Sequence, residues 1–172
     1  MSETGERDAA LSMAEIAERL QRLEDIEEIR QLKTAYCQAL DGGWDPQGSS
    51  HMGDIGALFV EDGVWDGRPS SPYARGRDAI REMILSYRPV PFIMHVVTNP
   101  KIAVDGDSAR GTWDVVLAMT SPQGQPNLGF GTYDEVYART PEGWKFRSLR
   151  FHFAGLTLFD NGYAVPEDVG MR

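Results

Sequence analysis

The sequence predicts an α+β domain in which one long N-terminal helix lies against a strongly bent antiparallel sheet. Two observations predict it. Apolar residues recur every three or four positions as far as residue 41. From about residue 93 the period falls to two, and short clusters of turn formers interrupt it. Helices first and an antiparallel meander afterwards form the α+β pattern. A chain of 172 residues fits one core. The expected division is a mobile tail over 1–11, a single domain over 12–160 and a C-terminal tail over 161–172.

The first helix is read over residues 12–41 from Met13, Ile16, Leu20, Leu23, Ile26, Ile29, Leu32, Tyr36 and Leu40, taken as one apolar stripe, with Gly42 and Gly43 as the stop signal. A loop over 42–53 carries Pro46 and paired serines. A short helical piece over 55–59, a turn at Glu61, Asp62 and Gly63, and a brief strand at Val64 and Trp65 follow, then a Pro/Gly/Ser loop over 67–76. Residues 78–87 form a second amphipathic helix, with Ile80, Met83, Ile84 and Tyr87 on one side. Strands are expected over 93–97, 101–104, 109–120, 128–139 and 144–153, with hairpin turns at 105–107, 121–125 and 141–143. A bent sheet wrapped on a helix encloses a cavity, which is where chemistry would sit.

Composition excludes several classes of function. The net charge of −9 leaves no basic surface for nucleic acid or anionic membranes. One cysteine, Cys37, rules out an intrachain disulfide and a thiolate cluster and suits a reducing cytoplasm. The polar, acidic N-terminus is no secretory signal, and no apolar run approaches a bilayer's thickness. His51, His95 and His152 lack metal-ligand spacing. Gly129, Phe130 and Gly131 lie within a strand, so they do not form a phosphate loop, and there is no nucleophile elbow. Neither a metal nor a cofactor is expected.

Three residues carry candidate chemistry. His95 sits in an apolar strand, where imidazole is either a satisfied core group or a base that titrates near neutrality. Asp41 ends the first helix, where the dipole disfavours a carboxylate unless a cation is near. Tyr36, about one turn earlier, is either core packing or a hydrogen-bond donor to a substrate oxygen. Cys37 reads as a small buried hydrophobe, and Lys33 as a solvated lysine at the same rim. Alternation places Trp113, Leu117 and Met119 on one wall, Leu149, Phe151 and Phe153 on another, and Phe59 and Trp65 beside them. Such a lining suits a small hydrophobic molecule, aromatic or polycyclic. His152 falls on the outer face and His51 in a polar loop.

Four blocks in order, IEEIRQLKTAYCQALDGG, ALFVEDGVWDG with GRDAIREMI, MHVVTNPKIAVDGDSARGTW and GTYDEVYARTPEGWKF, resemble the SnoaL-like branch of the NTF2-like superfamily. That branch includes bile-acid 7α-dehydratase, hexachlorocyclohexane dehydrochlorinase and scytalone dehydratase. The resemblance implies a cone-shaped fold, an outer sheet face that meets a partner in a homodimer or homotrimer, and a catalytic Asp41–His95 pair. Tyr36 matches the catalytic tyrosine of the bile-acid enzyme. The last-strand arginine of those lyases falls at Leu149 or Phe153, and the dehydratase's further aspartate at Leu117. The implied activity is a cofactor-free lyase, with an isomerase using the same pair as the alternative. A non-catalytic subunit, such as a dioxygenase small subunit, and a small-molecule binding protein are the readings from other classes.

Overall fold

The computed structural model describes residues 11–41, 54–86, 92–121 and 123–158. The expectations for both tails, the 42–53 loop with Gly42, Gly43 and His51, and Tyr87 fall largely or wholly outside those residues. The first helix, α1 (Met13–Leu40), starts where its cap dictates. Ser12 Oγ accepts from the Glu15 N–H at 3.2 Å, and the Glu15 carboxylate accepts from the Ser12 N–H at 2.7 Å. This reciprocal box satisfies two orphan donors of the first turn. At the other end Asp41 turns extended (φ −81°, ψ 125°), with its N–H donating to the Cys37 carbonyl at 2.8 Å.

The single apolar stripe expected along this helix is corrected by the structure. Ile29, Leu32 and Tyr36 are buried, whereas Met13, Ile16, Leu20 and Leu23 are 79, 45, 54 and 64% exposed. The reason lies in the spacing. Leu20, Leu23, Ile26, Ile29 and Leu32 follow one another in steps of three, and each such step swings the stripe back by about 60° on a helix of 3.6 residues per turn. The two groups therefore point in directions roughly 160° apart.

A six-stranded sheet follows: β1 (Phe59–Asp66), β2 (Tyr73–Arg75), β3 (Phe92–Asp105), β4 (Ser108–Thr120), β5 (Pro126–Thr140) and β6 (Gly143–Leu158), in the order β2-β1-β6-β5-β4-β3. The sheet is mixed, not wholly antiparallel as expected, because β1 pairs parallel with β6 while every other pair is antiparallel. The first strand thus closes onto the last. The two strands expected over 93–97 and 101–104 are one, β3, whose pairing with β4 shifts between Thr98 and Lys101 at the left-handed Asn99 (φ 50°). The β5–β6 register shifts between Phe130 and Gly131 and again between Val136 and Tyr137. Such irregularities bend a strand and increase its twist, and they let the sheet curl around α1. Gly106 (φ 56°) and Gly143 (φ 95°) supply the positive φ that the two tight hairpin turns require.

The concave face carries Trp113, Val115 and Leu117 of β4, Tyr133 and Tyr137 of β5, and Leu149 and Phe151 of β6, all buried. Ile29, Tyr36 and Cys37 of α1 complete this core. The second helix, α2 (Arg77–Leu85), covers the flank with buried Ile80 and Ile84. It is fastened by Arg77 Nε, which donates to the Phe59 carbonyl at 2.8 Å. At the far end of the cone Asp25 accepts two bonds from Arg139 at 2.7 Å each and one from Trp144 Nε1 at 3.2 Å. These contacts tie α1 to the β5–β6 hairpin.

Candidate functional site

The C-cap of α1 and the first stretch of the edge strand β3 bring Asp41 and His95 together. His95 Nδ1 lies 2.6 Å from Asp41 Oδ1, and the backbone N–H of His95 donates to both carboxylate oxygens at 3.0 Å. Each residue is 8% exposed. A carboxylate only accepts, so this contact places a proton on Nδ1 and leaves Nε2 as the basic nitrogen. Among the described residues Nε2 has no hydrogen-bond partner. In register, His95 stands opposite Leu117 and, beyond it, Gly129.

Tyr36 lies one turn back on α1, with its ring edge-on to the imidazole at a centroid distance of 6.4 Å. Trp65 Nε1 donates to its hydroxyl oxygen at 2.8 Å, and Tyr133 is a further hydrogen-bonding neighbour. Burial pushes the Tyr36 phenol well above the ordinary tyrosine value, so it stays protonated near neutrality. Its oxygen is occupied as an acceptor from Trp65. Cys37, 7% exposed, is held as a thiol with its pKa pushed up to about 12 by burial. That suits a small packing residue rather than a nucleophile.

Lys33 overturns its expected solvated role. It is completely buried, pairs with the equally buried Glu135 at 2.6 Å, and lies 3.3 Å from the Tyr133 ring centroid and 4.8 Å from that of Tyr36. Glu135 also accepts from the Tyr137 hydroxyl, which in turn accepts from Trp113 Nε1 at 3.1 Å. Sequence reasoning passed over Glu135 altogether. The signal that could have found it is parity: Glu135 lies between Tyr133 and Tyr137 on the inward face of an alternating strand, where a charge requires a partner.

The expected lining divides. Phe59 and Leu149 are wholly buried, and Phe59 packs against Phe146 at 5.1 Å, so both act as core with no surface to offer. Trp65 and Trp113 use their indole N–H groups on Tyr36 and Tyr137. Leu117 and Phe151 are buried, Met119 is half-buried, and Phe153 is 37% exposed. A Cβ on Gly129 would lie 3.2 Å from both Met119 Cε and Phe153 Cε2, so these two side chains occupy the space that the glycine leaves. Leu149 and Phe153 stand where an arginine was sought, and both are apolar. His152 is exposed, opposite Thr132. Among the described residues no group of three or more His, Cys, Asp or Glu could hold a metal ion, and no helix is long and apolar enough to cross a membrane.

A model described as the SnoaL-like domain matches residues 21–150. No curated protein matches the chain. Among solved structures, hexachlorocyclohexane dehydrochlorinase LinA-type3 from Novosphingobium barchaimii LL02 is 19% identical with a TM-score of 0.72, over 86% of this chain and 99% of that one. A Novosphingobium aromaticivorans protein provisionally assigned as a scytalone dehydratase is 21% identical with a TM-score of 0.67, over 83% and 93%. Another from that organism, provisionally assigned as an aromatic ring hydroxylase, is 25% identical with a TM-score of 0.68, over 80% and 94%. The shared fold is the α+β NTF2-like cone, with a sheet not closed into a barrel.

Proposed function

The chain belongs to the SnoaL-like domain family, and from that premise we propose that it is a cofactor-free lyase that eliminates a small group from a hydrophobic substrate. The observation that carries the reading is the buried Asp41–His95 contact, with no partner for Nε2 among the described residues. Nε2 takes a proton from carbon next to the leaving group. The electrons of the broken C–H bond form the double bond, and the leaving group departs with its own electron pair. Asp41 holds the tautomer and stabilises the imidazolium that results. Tyr36, kept protonated by burial, donates a hydrogen bond to the departing atom without giving up its proton. A departing hydroxide takes its proton from the imidazolium and leaves as water, whereas after loss of halide the imidazolium gives that proton to solvent. Phe151, Phe153, Met119 and Leu117 supply an apolar wall for an aromatic or polycyclic body. Returning the proton to another carbon of the same molecule makes the same residues an isomerase.

The neighbour provisionally assigned as an aromatic ring hydroxylase favours a second reading, a non-catalytic subunit of an oxygenase. Such a subunit has no use for the Asp41–His95 pair. The test begins with thermal-shift screening against hydrophobic hydroxylated and halogenated compounds, because a ligand of the native state raises its melting point. Turnover of the compounds found is then measured in His95→Ala and Asp41→Asn. Both are expected to fall by at least ~100-fold with the fold retained, the scale of general acid–base catalysis. Unchanged turnover in either variant removes the mechanism.

A further inference from the structure

The first three turns of α1 hold an apolar seam that the described residues leave exposed. Met13, Ile16, Leu20 and Leu23 are spaced three, four and three residues apart, the a-d-a-d pattern of a helix seam. Residues 11–24 are all exposed. The seam points away from the sheet, about 160° around the helix from Ile29, Leu32 and Tyr36. The described core therefore does not cover it. The helix start is set locally by the Ser12–Glu15 box, so the seam forms as helix without help from the sheet. Most of it precedes residue 21, where the family match begins.

The charges beside the seam indicate what covers it. With Met13 and Leu20 at a and Ile16 and Leu23 at d, Arg19 falls at g and Glu24 at the following e. A parallel, in-register helix pair brings g of one chain to the next e of the other, so Arg19 meets Glu24 twice. An antiparallel pair sets g against g and e against e and loses both contacts. Within the described residues neither Arg19 nor Glu24 has an ion-pair partner, whereas Glu18 and Arg22, on the side away from the seam, pair with each other at 3.8 Å.

We propose that this seam is a self-association surface, on which Met13, Ile16, Leu20 and Leu23 of one copy pack in parallel register against the same residues of another copy. The inference is independent of the catalytic reading. The seam is about 15 Å long, which puts the contact by itself in the weak, concentration-dependent class.

Sedimentation of the full chain over roughly 1–300 μM, spanning that class, is expected to show reversible association. Leu20→Glu should shift its midpoint at least 10-fold to higher concentration with unchanged circular dichroism, because the side chain it replaces is exposed. Arg19→Glu should weaken association, and adding Glu24→Arg should restore it. Under mild oxidation Leu20→Cys should give a linked dimer, because parallel register sets position 20 beside its copy. The native chain, whose cysteine is buried, should not. Three results overturn the proposal: a monomer throughout the range, association unaffected by Leu20→Glu, or a Leu20→Cys chain that stays unlinked.

Discussion

Two carboxylates inside the cone are each paired with a nitrogen base of the same chain, and they differ in what remains after pairing. Glu135 and Lys33 are both completely buried, and Tyr137 and the aromatic faces of Tyr133 and Tyr36 occupy what their mutual contact leaves over. Asp41 and His95 retain slight exposure, and among the described residues Nε2 of the pair has no partner. A saturated buried pair gives its interaction energy to the fold, because every polar atom has lost its water and gained a protein contact. A pair with one basic atom left over can spend it on a ligand. Similar ingredients thus produce a structural pin and a candidate reactive centre about two helical turns apart on α1.

The largest effect should come from breaking the pin. Lys33→Met strands a buried glutamate and is expected to cost about 3–5 kcal/mol in urea denaturation. The double variant Lys33→Met, Glu135→Gln should recover most of that loss. A single variant as stable as the native chain would erase the distinction between the two pairs. Trp65→Phe removes the N–H that orients Tyr36 without touching Asp41 or His95. It is expected to cost about 0.5–1.5 kcal/mol of stability and, for the proposed reaction, to lower turnover roughly 3–10-fold. A loss in stability with turnover intact would put Tyr36 with the structural group.

The smallest effect concerns the third buried carboxylate, Asp25. Hydrogen bonding from the Arg139 guanidinium holds its carboxyl below the usual aspartate value of 3.8. A depressed folded value contributes stability that is fully present above the unfolded value and is lost as pH falls through the folded one. Asp25→Asn should therefore melt below the native chain near neutral pH, and the gap should close as pH falls through the lowered Asp25 value. A gap that stays constant with pH would mean that Asp25 acts by shape alone.

Much of this was legible in the residues. The positions of α1, α2, β4, β5 and β6 follow from periods of 3.6 and 2, and the hairpin ends follow from Gly106 and Gly143. Asp41 and His95 stood out because each is costly where its local pattern puts it. Lys33 was misjudged because a lysine on a charged helix reads as solvated. Its partner is 102 residues away, and only strand register puts Glu135 beneath it. The α1 stripe was misjudged because steps of three and four look alike in a sequence but rotate in opposite senses on a helix.

By itself, then, the sequence determined what depends on near neighbours: where α1 starts, where the β3–β4 and β5–β6 hairpins turn, and which residue types could do chemistry. The tertiary structure alone decided that β1 runs parallel to β6, that Lys33 is sealed against Glu135, and that Asp41 reaches both the backbone and the ring of His95. Each of those pairings joins residues far apart in the chain. Its free energy depends on the register and curvature of the whole sheet, which no local pattern records.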